Sequence, residues 1–109
     1  MIQKVNSGDV ICLCGSTRFL DEFKKIKFSC EASGAIVFTP EVYHHYHNLE
    51  LTTYQVEVLN ELHKLKIGLS DYIIIINVDG YIGESTQDEI EYAKELNIPI
   101  YYLEEVDNG

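Results

Sequence analysis

The chain has little positive charge, few cysteines and no long apolar run, and each shortage removes a class of function. Eight Lys and Arg stand against 18 Asp and Glu, a net charge of -10. A nucleic-acid duplex is held through many Lys and Arg contacts to its phosphates, so this balance argues against one as a partner; the acidity serves solubility. No apolar stretch approaches the roughly 20 residues that span a bilayer. The opening Met1-Ile2-Gln3-Lys4 lacks the core of a signal peptide. A cytoplasmic protein without a membrane partner is expected. Cys12, Cys14 and Cys30 are odd in number and fall inside expected regular structure, which argues against a disulfide framework and for reduced thiols. At 109 residues, one domain over residues 1–109 is expected, with about a third of its potential surface exposed. No repeat or low-complexity segment is visible.

What is present alternates between strand and helix. After the polar residues 1–8, the apolar run from Asp9 to Cys14 suits a buried parallel strand. Gly15-Ser16-Thr17-Arg18 follows at once. Glycine permits close backbone approach, Ser16 or Thr17 can cap, and Phe19, Phe23, Ile26 and Cys30 recur at helical spacing. Ser33-Gly34 is a natural stop, and Ala35 to Thr39 forms a second strand closed by Pro40. Residues 41–50 read as a loop rich in ring side chains. A long helix then keeps one apolar line through Leu51, Tyr54, Val58, Leu62, Leu65 and Leu69, flanked by His63 and Lys66. Gly68 to Asp71 turns the chain into a third strand ending near Asn77. A further helix runs from Thr86 to about Asn97, and Ile98 to Leu103 supplies a fourth strand with Pro99 at an edge or start. The acidic tail from Glu104 to Gly109 is expected to fray.

This alternation predicts an α/β fold, a parallel sheet of order 2-1-3-4 covered on both faces by helices. In such a sheet the carboxyl ends of strands one and three lie side by side, and ligands bind in the crevice between them. Two glycine-bearing loops would meet there. In the second, Gly80-Tyr81-Ile82-Gly83-Glu84-Ser85, Ser85 offers a helix N-cap with Asp88 three residues on. The helix that follows has an apolar stripe through Thr86, Glu89/Ile90, Ala93 and Leu96, opposite a wet face of Asp88, Glu91 and Glu95. Glu89 is the carboxylate on the core side. It is either a second cap with Thr86 or an ionised group held in the first turn for nucleophilic chemistry.

Several residues surround this candidate. Arg18 can pair bidentately with a phosphate or carboxylate, while Gly15 and Ser16 offer backbone and hydroxyl contacts to an anion. The loop lacks a full G-x-G-x-x-G, which argues against a dinucleotide site. Cys12 and Cys14 point to one face of their strand, but the strand supplies no further metal ligand, so they read as core. His44, His45 and His47 sit in a loop that suits covering a pocket better than binding metal, and a plain solvated loop better than either. No metal and no cofactor are expected. His63 could reach the site as a general acid, and Asp71 could hold a ribose hydroxyl or stabilise a loop. Tyr43, Tyr46 and Tyr81 could stack a heterocyclic base.

Cys14-Gly15-Ser16-Thr17-Arg18-Phe19, with Ser70-Asp71 and the run from Gly80 to Ala93, resembles the nucleoside 2-deoxyribosyltransferase superfamily, which includes deoxynucleoside monophosphate N-glycosidases. The likeness spans about residues 9–103. It implies a flavodoxin-like fold, a nucleophilic glutamate at the start of the helix after strand three, and homodimers or higher oligomers in which a neighbour helps close the site. Carried over, Glu89 attacks the anomeric carbon to form a glycosyl-enzyme ester. Gly15, Ser16, Thr17 and Arg18 belong to the loop that holds the sugar or its 5′-phosphate, with Gly83 and Ser85 in the loop opposite. Cys12 stands where members place a Tyr that orients the glutamate, and His63 where they place an Asp that protonates the departing base. The expected activity is cleavage or exchange of the N-glycosidic bond of a nucleoside or nucleotide. A nucleoside 5′-monophosphate hydrolase and a nucleotide-sensing module without catalysis are the rivals.

Overall fold

The computed structural model describes residues 4–40 and 50–106. Four parallel strands form one sheet in the order β2-β1-β3-β4, the order expected. They are β1 (Val10–Gly15), β2 (Ile36–Phe38), β3 (Tyr72–Ile76) and β4 (Ile100–Tyr102). Helix α1 (Leu20–Ala32) links the first two strands, α2 (Thr53–Gly68) precedes β3, and α3 (Glu84–Glu95) links β3 to β4.

The strands form where they do because both sheet faces are covered. Ile73, Ile74, Ile75 and Ile76 are all fully buried, and burying each such side chain contributes about 1.5–3 kcal/mol. Side chains alternate in β1. Ile11 and Leu13 join Phe23 and Cys30 on the α1 side, whereas Cys12 and Cys14 join Ile67, Ile90 and Ala93 on the side covered by α2 and α3. The register runs from Ile11 beside Tyr72 to Gly15 beside Ile76. At that last pair the backbones come so close that a Cβ on Gly15 would lie 2.9 Å from the Ile76 carbonyl oxygen, which explains the glycine.

Four expectations need correction. Helix α3 begins at Glu84 with Gly83 as its N-cap and no side-chain cap, so Ser85 lies inside the first turn and Glu89 in the second. The Gly80 turn explains the earlier start. Asp79 and Gly80 take positive φ of 55° and 78°, which completes the reversal before Gly83. Secondly, the apolar line along α2 faces outward. Tyr54, Val58, Leu62, Leu65 and Leu69 are exposed, and the helix buries His63 and Ile67 instead. Opposite His63 the sheet presents Cys12 and Cys14. The imidazole finds polar partners there that a leucine could not use.

Thirdly, Leu96 is exposed, because α3 ends at Glu95 and the chain turns away through Asn97 at φ 57°. Lastly, Glu104 is held. Its backbone N–H donates to Asn77 Oδ1 at 2.9 Å, its carbonyl accepts from Asn77 Nδ2 at 3.0 Å, and its carboxylate accepts from the Asp79 N–H at 3.0 Å. Buried Asn77 thereby ties the loop after β3 to the end of β4. Helix α2 starts at Thr53, with Thr52 and Gln55 forming a reciprocal capping box.

Candidate functional site

The β1–β3 pairing brings both glycine loops to one end of the sheet. Gly15 ends β1, and Ser16 caps a single 3-10 turn over Thr17–Phe19 by accepting from the Arg18 N–H at 3.3 Å. From that turn Arg18 reaches the second loop. Its guanidinium donates to the Tyr81 hydroxyl at 3.2 Å and lies 4.1 Å from the Tyr81 ring centroid, a charged hydrogen bond combined with a cation–π contact. Phe19 meets the same ring edge-on at 6.0 Å. Gly83 sits beside it, where a Cβ would lie 3.3 Å from the Tyr81 hydroxyl. Tyr81 therefore joins Arg18, from the turn that Gly15, Ser16 and Thr17 open, to Gly83.

On the α2/α3 side of the same sheet end, Glu89 faces inward with a side-chain exposure of 16%. One oxygen lies 3.5 Å from Nε2 of His63, whose side chain is 6% exposed. Nε2 is also 3.5 Å from Cys14 Sγ and 4.0 Å from Cys12 Sγ. Helix periodicity accounts for the inward Glu89, since Thr86, Ile90 and Ala93 beside it are buried while Asp88, Glu91 and Glu95 are exposed. It is not a cap.

Burial sets the protonation of this cluster. Desolvation raises the Glu89 carboxyl above the ordinary glutamate value, only partly offset by the His63 charge. Burial alone would lower the His63 imidazole, but the bond from Cys12 and the charges of Cys12 and Glu89 outweigh it and the imidazole is raised. A bond from Cys14, opposed by burial and helped by His63, lowers Cys12 to about 6. Cys14 correspondingly holds its proton well above the ordinary thiol range, because it bonds to Cys12 and is desolvated. Proton affinity in the cluster is thus low on Cys12, high on Cys14 and raised on both His63 and Glu89.

No protein-family model, curated protein or solved structure matches this chain. The resemblance to the deoxyribosyltransferases rests on the residues alone.

One expected site residue lies elsewhere, and another lacks the cap expected of it. Asp71 precedes β3 at the opposite end of the sheet from Gly15, and its carboxylate accepts from the Val10 N–H at 2.9 Å. It splices β1 to β3 at the end of the sheet away from the Gly15 turn. Ser85 is exposed on the first turn of α3 and makes no cap. His44, His45, His47, Tyr43 and Tyr46 lie outside the described residues. Sequence reasoning missed Cys14 as a partner of His63 and Glu89. The signal was present in the Cys12-x-Cys14 alternation, but His63 was read as flanking the apolar line of its helix and weighed only as a general acid.

A desolvated carboxylate should reduce stability as it ionises. Because Glu89 is raised in the fold, the native state binds more protons than the unfolded chain above the ordinary value of 4.5, so its contribution to stability falls as pH rises from there. Glu89→Gln should therefore gain on the parent between about pH 4.5 and pH 7, by about 1.4 kcal/mol for each pKa unit of the shift. Urea unfolding at both pH values measures this. A variant that loses ground over that interval would show the carboxylate to be stabilised rather than desolvated.

Proposed function

We propose that this protein cleaves or exchanges the N-glycosidic bond of a nucleoside or nucleotide, with Glu89 as the nucleophile. The observation that carries the reading is the mostly buried Glu89 carboxylate against buried His63, at the end of the sheet where β1 and β3 run side by side. Cleavage of such a bond develops positive charge on the sugar. A fixed carboxylate stabilises that charge far better in a desolvated site than in water. Glu89 would attack the anomeric carbon as the bond to the base breaks, giving a glycosyl ester and a departing base that takes up a proton. Water then completes a hydrolysis; a second base completes a transfer.

The 3.5 Å contact suits His63 first to hold and orient Glu89. It is shorter than the separation of about 5–5.5 Å between the two carboxyls of retaining glycosidases, which straddle the bond they break. His63 is thus read as a positioning residue, in the place where the family has an acid for the base. Arg18, exposed beside the Gly15 turn, favours a 5′-monophosphate among the substrates. The nucleoside monophosphate hydrolase is the second reading on that ground. A second copy of the chain is proposed to cover the outward apolar face of α2, since Tyr54, Val58, Leu62, Leu65 and Leu69 form an exposed stripe on one helix.

Intact-mass measurement after mixing with a panel of deoxynucleosides and their 5′-monophosphates should show an added sugar mass on the parent and none on Glu89→Ala, with free base released. Binding without adduct or free base would leave a sensing module. Sedimentation velocity should show a dimer or larger species that Leu62→Glu dissociates. A parent that sediments only as a monomer would contradict the covered face.

A further inference from the structure

Cys12, Cys14 and His63 place their donor atoms within 4.8 Å of one another, and all three residues are buried. Cys12 and Cys14 come from alternate positions of one strand and His63 from the inner face of α2, so the grouping is fixed by regular structure on both sides. Glu89 from α3 adds an oxygen 3.5 Å from His63 Nε2. Two sulfurs and one imidazole nitrogen thus converge from two elements, and a carboxylate oxygen from a third lies against the imidazole.

We propose that these four side chains form a tetrahedral binding site for zinc, with Cys12 Sγ, Cys14 Sγ and His63 Nε2 as ligands and Glu89 as the fourth. The distances suit the ion. Zinc bonds of about 2.3 Å to sulfur and about 2.0–2.2 Å to nitrogen and oxygen put tetrahedral ligands about 3.3–3.8 Å apart. Nε2 lies 3.5 Å from Cys14 Sγ and 3.5 Å from the Glu89 oxygen, both inside that range, while Cys12 Sγ, at 4.0 Å from Nε2 and Nδ1 alike, must close by a few tenths of an ångström on binding. Packing alone is the competing explanation, since free cysteine behaves as a small apolar residue in a core. It accounts for the burial of the sulfurs but not for an imidazole brought to the same point with a carboxylate against it.

Glu89 is the least buried of the four side chains, so the ion enters past it. On binding, any proton still present on the thiols, on His63 Nε2 or on Glu89 leaves to solvent, so that each sulfur binds as thiolate and the imidazole as its neutral form; no oxidant or reductant takes part. The site does not depend on the glycosidic reading. Where that reading holds, zinc and the sugar compete for the Glu89 carboxylate and zinc acts as an inhibitor.

Cobalt(II) titrated into chelator-stripped full-length protein provides the test. One cobalt per chain should appear with an intense near-ultraviolet thiolate-to-cobalt band and the visible envelope of a tetrahedral site, and zinc should displace both. Cys14→Ser should weaken binding by more than about tenfold, a loss seen even for outer partners of a metal site. Cys30→Ser, on the α1 side of the sheet, should bind as the parent does. Glu89→Gln should keep the sulfur band while binding more weakly. Cobalt bound without a sulfur band, or no cobalt bound at all, would overturn the site, as would a band unchanged in Cys14→Ser. Should Cys14→Ser fail to fold, X-ray absorption on the zinc-loaded parent decides, with two sulfurs at about 2.3 Å expected and fewer than two overturning the proposal.

Discussion

The parallel pairing of β1 with β3 governs the rest of the molecule. Five consecutive residue pairs, from Ile11 beside Tyr72 to Gly15 beside Ile76, fix the register. Because the strands run the same way, the turns that follow them must emerge at the same end, and the connections must cross to helices on the sheet faces. That single constraint puts the Arg18 turn against the Tyr81 loop. It also directs Cys12 and Cys14 toward α2 and α3, since a shift of one residue would exchange them with Ile11 and Leu13.

Polar groups occupy the α2/α3 side at a cost. The α1 side is filled by aliphatic and aromatic chains, together with Cys30 and the Tyr72 hydroxyl, which donates to Asp9 at 2.9 Å. The other side holds two thiols, an imidazole and a carboxylate, with a carboxylate whose ionised form is disfavoured by burial. Unpaired buried charge is expensive, so such clusters persist where the chemistry needs them. The same four groups offer a nucleophile held by an imidazole and a soft ligand set for zinc, which makes the protonation and metal content of this one cluster decisive for both roles.

Much of the fold was legible from the residues. The alternation of β and α segments and the glycine at the end of β1 follow from local pattern, and the 2-1-3-4 order, one of the few such an alternation allows, is the one the structure has. Helix α2 was not legible in its orientation. Its apolar line reads as the core face by period alone, yet His63 and Ile67 turn inward because Cys12 and Cys14 offer the imidazole partners across the sheet. That preference is tertiary and leaves no mark on helical spacing. The start of α3 was misplaced for a related reason, since Ser85 and Asp88 spell a capping box while the reversal at Asp79 and Gly80 sets the helix going at Glu84. Glu89 nevertheless faces inward, because its direction depends on the phase of Thr86, Ile90 and Ala93 and not on where the helix begins.

The central claim is that the crevice between the Gly15 turn and Glu89 is where a nucleotide sits. A crystal structure of Glu89→Gln with an uncleaved deoxynucleoside 5′-monophosphate tests it most directly. The sugar should lie over residue 89 with its phosphate at Ser16 to Arg18. A ligand bound at any other part of the molecule, with residue 89 and the Gly15 turn untouched, would contradict the account.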